Sequence, residues 1–178
     1  MNRFARMLAR ADVFATSASL WLCSAIMVTM VAIGGLGVVF RFALHASLSW
    51  SEELDAYLFV WLTCLGAAVG VKLRMHPSVM AVADWLPKRH RTALSIAADT
   101  AIFCLGALMA FYGGQLILLM GAETASSLPI SMSYPMLAVP VGGALFMLHS
   151  LAHVMDTLHS PSNPASNAKL PNSVTNDV

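Results

Sequence analysis

The chain has 178 residues, of which 58% are hydrophobic and 11% are charged, and its mean hydropathy is +0.72. A soluble domain carries roughly 25% charged residues, so this chain has too few charges to cover a water-facing surface. The composition predicts an integral membrane protein with a single domain, and the net charge of +1 gives no footprint for nucleic acid.

Residues 1–14 are predicted to form an amphipathic helix on the cytoplasmic membrane surface. Apolar side chains occupy one helical face and basic side chains another: Phe4, Met7, Leu8, Ala11 and Phe14 against Arg3, Arg6 and Arg10. This pattern is typical of a helix that lies on anionic lipid. A transit peptide is the alternative, which the long apolar run directly behind the segment disfavours.

Four apolar runs predict an all-α integral membrane protein with four transmembrane helices and short interfacial helices. The runs cover about 18–40, 54–71, 93–120 and 134–154. Each is near or above the ~18–20 residues that a helix needs to cross ~30 Å of hydrocarbon. We expect residues 15–158 to form one four-helix membrane bundle. The first run is too long for a signal-peptide core and is predicted to be retained.

Basic residues predict the orientation of the spans. They lie before the first run and between the second and third, at Arg3, Arg6, Arg10, Lys72, Arg74, Lys88, Arg89 and Arg91. Only Arg41 separates the first two runs, and no basic residue separates the last two. Cytoplasmic loops carry the excess of Lys and Arg, so both termini are predicted to be cytoplasmic. A second interfacial helix is predicted over 78–87, and the tail 159–178, rich in Ser, Asn and Pro, is predicted to be disordered.

The acidic start of the second span is the strongest functional candidate. Its sequence is Ser49-Trp50-Ser51-Glu52-Glu53-Leu54-Asp55, and the helix turns almost wholly apolar after the last acid. A capping box of Ser49 and Glu52 explains one carboxylate but leaves Glu53 unexplained. Three acids in four residues repel one another, which predicts a cationic partner, either Arg41 or a basic residue of another subunit. Helix capping and a subunit interface both remain open for this cluster.

Aromatic residues accompany the acids on roughly one helical face. Trp50 and Tyr57 suit the aromatic belt at a membrane boundary. Trp61 lies deeper and is predicted to be a packing anchor.

Small residues recur at close-packing spacing along three spans. They are Gly66 and Gly70, then Gly106, Ala110 and Gly114, then Ala138 and Gly142. Lipid gives helices no hydrophobic reason to associate, so small residues that let backbones approach mark helix contacts. Two readings are open, packing within the bundle and packing against another membrane subunit.

A few polar residues lie within or beside the spans. Asp99 admits structural pairing, a subunit contact, or a proton or ion path. His149 and His153 share a helical face and have the spacing of metal or haem ligands, although polar residues near the cytoplasmic boundary are the more ordinary reading. His76 suits the negative end of the second span.

No catalytic residues can be assembled from this sequence. It contains no Ser-His-Asp combination, no P-loop and no zinc-binding helix, so the chain is predicted not to be an enzyme. Cys23, Cys64 and Cys104 lie in apolar runs without metal-ligand spacing and are predicted to be small buried residues. No cofactor is expected.

The chain resembles the small membrane subunit of TRAP transporters, the DctQ-like family, over roughly residues 20–155. The matching residues are Arg41-Phe42, Ser49-Trp50-Ser51-Glu52-Glu53-Leu54, Tyr57-Leu58-Phe59-Val60-Trp61, Gly66-Ala67-Ala68, His76, Leu86-Pro87, Tyr134-Pro135 and Pro140-Val141-Gly142.

The resemblance implies an accessory scaffold in the bacterial inner membrane. Its partners would be a large membrane subunit, which carries substrate and ions, and a periplasmic binding protein, which delivers an organic acid, often a carboxylate. The uptake would be driven by an ion gradient, and this chain would have no transport path of its own. The competing hypothesis is a haem-bearing membrane anchor of an oxidoreductase, based on His149, His153 and the four spans.

Overall fold

Four apolar helices determine the architecture of this chain. The computed structural model describes residues 3–46, 48–73, 88–120 and 123–159. The helices are α1 (Arg3–Ala43), α2 (Ser49–Lys72), α3 (Lys88–Met120), α4 (Ser133–Met136) and α5 (Ala138–His159). The stretches long and apolar enough to cross a membrane are Met7–Ala43, Ser49–Lys72, Ala93–Met120 and Ser133–Met155. The predicted all-α membrane fold with four spans is therefore confirmed.

Helix α1 is one continuous helix of 41 residues. At 1.5 Å per residue it is about 60 Å long, roughly twice the thickness of the hydrocarbon core. No break separates residues 3–14 of the predicted surface helix from the first span, so these residues continue the axis of that span. Its contact with lipid stays a prediction. The predicted interfacial helix 78–87 and the tail from residue 160 lie outside the described residues.

The long helices form an open row. Helix α1 packs on α2, α2 packs on α5, and α5 packs on α3, with a smaller contact between α1 and α5. Across the described residues, α3 contacts neither α1 nor α2. In the most apolar stretch of each span, 6% and 11% of residues are buried in the outer helices α1 and α3, against 22% and 39% in α2 and the α4–α5 span. Most of the apolar surface is thus left for lipid or another protein.

Glycines bring the backbones of α3 and α5 into direct contact. A Cβ atom added to Gly143 would lie 2.6 Å from the Gly106 carbonyl oxygen, and one added to Gly106 would lie 2.7 Å from the Gly143 carbonyl oxygen. On the α2 side, a Cβ atom at Gly142 would lie 3.0 Å from Cys64 Cβ. The small residues Gly106 and Gly142 therefore serve packing within this chain.

Because α3 and α5 touch through their backbones, a single methyl group added at the contact should destabilise the chain. Gly143→Ala should lower the free energy of unfolding by about 1–3 kcal/mol, the usual cost of overpacking, because the new Cβ atom meets backbone atoms that cannot move independently. Thermal unfolding in detergent, followed by circular dichroism, measures the effect. Gly114→Ala is the control, since a Cβ atom there meets nothing within 4 Å among the described residues. Equal melting of the two variants would contradict the close contact.

Candidate functional site

A tight reversal after α1 places Arg41 beside the start of α2. The amides of Leu44 and Ala46 both donate to the Phe40 carbonyl, at 3.3 and 3.2 Å. His45 has a φ of 53°, in the left-handed region that favours glycine. The helix end is closed by these two bonds, and the chain enters α2 within a few residues.

The predicted capping box at the start of α2 is wrong. Leu48 is the N-cap residue, and no side chain caps the helix. Ser49 is already helical, so the chain enters the helix one residue earlier than the capping pattern requires. The Ser51 hydroxyl donates to the Leu48 carbonyl at 2.8 Å. The acids of the first turns therefore need another explanation.

Glu52 forms an ion pair with Arg41. The guanidinium Nη2 donates to Glu52 Oε1 at 2.6 Å, and the two side chains are 58% and 73% exposed. A cationic partner for the acidic cluster was one of the predictions, and Arg41 of this chain provides it. Exposed ion pairs contribute at most about 1 kcal/mol, so this pair links α1 to α2 only weakly.

Glu53 binds the connection between α3 and α4. Its carboxylate accepts hydrogen bonds from the Ser126 and Ser127 amides at 3.0 and 2.7 Å and from the Tyr57 hydroxyl at 2.7 Å. Hydrogen bonds to a charged acceptor are stronger than neutral ones. Glu53 thus ties α2 to a segment more than 70 residues away, and this contact accounts for the acid that a capping box could not explain.

The connection that Glu53 binds is itself ordered by backbone hydrogen bonds. Thr124 pairs with Ser131 in an isolated antiparallel bridge. The Ala125 amide donates to the Ile130 carbonyl at 2.9 Å, and the Met132 amide donates to the Glu123 carbonyl at 3.0 Å. Sequence reasoning missed this contact because Ser126 and Ser127 donate through their backbones, which any residue could do.

Asp55 faces α1 where that helix carries glycine. Its Oδ2 atom would lie 3.5 Å from a Cβ atom on Gly34, and a Cβ atom on Gly37 would lie 3.2 Å from Ser51 Oγ. A cavity of about 130 Å³ opens beside these residues. Among the described residues, Asp55 Oδ1 is buried without a hydrogen-bond partner. The α1 glycines therefore let the polar start of α2 approach closely.

One aromatic residue of α2 packs against another helix, and two are predicted to lie at the membrane boundary. The Trp61 indole donates to the Tyr134 carbonyl at 3.3 Å, which joins α2 to α4 and agrees with a packing anchor. Trp50 and Tyr57 are half-buried, and their place in an aromatic belt stays a prediction.

Gly66 and Gly70 lie on an open face of α2. A Cβ atom at either position would meet nothing within 4 Å in the described part of the chain. The same face carries the exposed residues Ala56, Phe59, Thr63 and Leu73. Of the two readings for the small residues, packing within the chain holds for Gly106, whereas these two α2 glycines have no such contact.

A buried polar cluster lies at the opposite end of the helix axes from Glu53, and we call it the Asp12 cluster. Asp12 pairs with Lys72 through Oδ2 and lies 2.5 Å from His149 Nδ1 through Oδ1. His153 Nε2 lies 3.1 Å from the Lys72 carbonyl oxygen. Asp12 is 2% exposed and His149 is fully buried. The cluster joins α1, α2 and α5.

The Asp12 cluster gives the two histidines a role between helices. Each has one ring nitrogen in contact with α1 or α2, and the part of the chain that the structure describes has no group of three or more residues able to hold a metal ion. Asp12 was not among the predicted functional residues. The available signal was that it is the only acid before Glu52 and shares a helical face with Thr16 and Ser19.

The remaining predicted residues are placed as follows. Asp99 is buried, and its carbonyl accepts a hydrogen bond from the Ser150 hydroxyl, so α3 also joins α5 at this end. The three readings of the Asp99 side chain stay predictions, and His76 lies outside the described residues. The cysteines were predicted to be buried, which is wrong for exposed Cys104 and only partly right for Cys23 and Cys64, which are half-buried.

Comparison with known proteins identifies the family. Residues 30–159 match the model of the family described as tripartite ATP-independent periplasmic transporters, DctQ component. The sialic acid TRAP transporter small permease protein SiaQ of Vibrio cholerae is 25% identical over 146 residues, which cover 82% of this chain and 84% of that protein.

Two further relatives match over shorter stretches. The C4-dicarboxylate TRAP transporter small permease protein DctQ of Rhodobacter capsulatus is 31% identical over 59% of this chain and 47% of its own length. The isethionate TRAP transporter permease protein DctMQ of Oleidesulfovibrio alaskensis is 28% identical over 60% of this chain and 17% of its own length.

These findings fix the class of the protein. The relatives are permease subunits and not enzymes, and they do not favour the haem-bearing anchor. Together with the four apolar helices they identify a multi-pass protein of the bacterial inner membrane. The chain belongs to the DctQ family of small membrane subunits of TRAP transporters.

Proposed function

We propose that this chain is the accessory subunit that pairs with the large membrane subunit of a TRAP transporter and steadies it during uptake of an organic acid. The observation that carries the proposal is the open row of helices, because it leaves broad apolar faces that a partner can cover. In the isethionate relative the matched segment is a small part of a longer fused chain, which supports a large partner.

The open face of α2 is the part of the row best suited to a partner helix. Glycine on a lipid-facing surface has no packing value, whereas small residues at this spacing let a second backbone approach. Gly66 and Gly70 have no Cβ contact within the described part of the chain, and the isethionate relative is a fusion in which the matched segment is joined to a longer chain.

The distribution of charge supports a scaffold role and not a transport path. In α2, all charged residues lie in the first two turns or at the last residue, Lys72. Intramembrane charges mark ion and proton pathways, and the middle of this span offers none. We assign substrate and ion transport to the large subunit, with the ion gradient acting there.

The names of the relatives support an organic acid as the substrate class. They transport sialic acid, C4-dicarboxylates and isethionate, according to their descriptions. Two of these are carboxylates and the third is a sulfonate. We propose a carboxylate for this system, delivered by a periplasmic binding protein.

The orientation that we propose follows from the basic residues. Both termini and the Asp12 cluster lie on the cytoplasmic side, and the acidic start of α2 faces the periplasm. Reporter fusions after Ser47 and after Val82 should then report opposite sides of the membrane. Two fusions on the same side would remove both the orientation and the proposed exposure of Glu53 to the periplasm.

Substitution of the α2 glycines tests the pairing. The double change Gly66→Leu and Gly70→Leu should reduce co-purification of a large TRAP subunit by at least about tenfold, equivalent to ~1.4 kcal/mol, because two Leu side chains separate the helices. The thermal unfolding of the isolated chain should not change. Gly35→Leu is the control, since Gly35 also meets nothing within 4 Å but lies on α1. Unchanged co-purification would place the partner on another face.

Substitution of the two glutamates separates their roles. Glu53→Gln replaces the charged carboxylate that accepts hydrogen bonds from the Ser126 and Ser127 amides with a neutral amide. Because these hydrogen bonds become weaker, the backbone amides of residues 123–132 should exchange their hydrogens faster. Substrate uptake should fall while the chain still inserts and folds. Glu52→Gln and Arg41→Gln should have little effect, because that ion pair is exposed.

The outcome also decides the subunit-interface role that the sequence suggested for Glu53. Faster exchange with normal uptake would leave Glu53 as a tie within this chain. Reduced uptake with unchanged exchange would indicate a direct contact with the large subunit.

A further inference from the structure

The first half of α1 has almost no apolar packing. From Met7 to the end of the helix, its buried side chains are Asp12, Ser19 and Ile26. These residues are spaced by seven and so lie along one face of the helix. Two of the three are polar, and the buried apolar one lies 14 residues, or about 21 Å, beyond Asp12.

Most of the large apolar side chains in this half of α1 point away from the row. Met7 is 70% exposed, Phe14 is 76% exposed and Trp21 is 79% exposed. Hydrophobic contact with α2 and α5 therefore contributes little to the position of this segment, and lipid would cover these side chains equally well elsewhere. The contacts of Asp12 must supply most of the preference for the docked position.

The Asp12 cluster has the geometry to supply this preference for the docked position. The carboxylate is buried and uses its two oxygens on two helices, with Lys72 of α2 at Oδ2 and His149 of α5 at Oδ1. The aspartate and the lysine carry opposite charges, so the lysine offsets the buried carboxylate. A buried carboxylate without such partners carries a large desolvation cost, so the first half of α1 can leave the row only if Asp12 reaches water at the same time.

We propose that Asp12 is a polar latch that holds the first half of α1 against α2 and α5. Two positions are then available to this segment. In one it stands in the row, as the structure shows. In the other it is released before Ile26, and residues 3–14 lie along the membrane surface, the position that their amphipathic sequence pattern also favours. The latch depends on the fold of this chain alone and not on the proposed pairing with a large subunit.

Distance measurements between spin labels test the latch. One label replaces Met7 and the other replaces Leu151, both exposed, in a chain whose three cysteines are changed to alanine and that is held in lipid nanodiscs. The parent should give one narrow distance. In Asp12→Asn the released population should rise by about a hundredfold or more, because Lys72 loses its buried anion, and a second, broad distance should appear.

A matched control variant and a second pair of spin labels show whether the change is confined to α1. Thr16→Val removes a hydrogen bond of 2.8 Å to the Asp12 carbonyl within α1, which crosses no helix boundary, and should leave the distance narrow. Labels at Leu108 of α3 and Leu151 should report no change in any variant. If this pair broadens together with the first, the cluster stabilises the whole row and the latch is wrong.

A double-mutant cycle tests whether Asp12 acts through Lys72. Lys72→Met should release α1 as well, and Asp12→Asn combined with Lys72→Met should release it no more than the stronger single change, because coupled residues are not additive. Additive effects would overturn the ion pair as the source of the latch. A narrow distance in both single variants, with unchanged helix content, would overturn the latch itself.

Discussion

Lipid hydrocarbon gives the four apolar spans of this chain no reason to prefer one another over the bilayer, and the rest of the structure depends on that constraint. Helix association then needs close backbone packing and polar contacts. Helix α5 provides the packing, since Gly143 brings it onto the α3 backbone and Gly142 brings it onto α2 at Cys64. The result is a row in which α5 contacts every other helix, and among the described residues α3 has α5 as its one long neighbour.

Two carboxylates connect the helices of this row, one at each end of the helix axes. Glu53 accepts donors from its own helix and from the connection between α3 and α4, and Asp12 engages α2 and α5. Both are acids whose oxygens are shared between elements far apart in sequence. Contacts at these two positions leave the broad faces of the row free.

The number of spans and their approximate positions could be predicted because they depend on local composition, whereas α1 extends well beyond the predicted 18–40 as one helix of 41 residues. The partners of Glu53 could not, because two backbone amides leave no trace in the sequence. The capping box failed because a residue pattern does not fix where the chain enters a helix, and here Ser49 is already helical. Small-residue spacing marked close packing correctly at Gly106 but did not reveal which face of each helix would find a partner.

The family match includes the Glu53 contacts in full but only part of the Asp12 cluster. The family match begins at residue 30, so it contains Glu53, Lys72 and His149 but not Asp12. The cationic and imidazole partners of the latch thus lie within the shared part of the fold, and their buried acid lies in the preceding half of α1. Relatives whose named substrates differ in size and in acid group match this chain in sequence. Since a shared scaffold cannot by itself distinguish sialic acid from isethionate, we expect substrate choice to reside in the partner subunits.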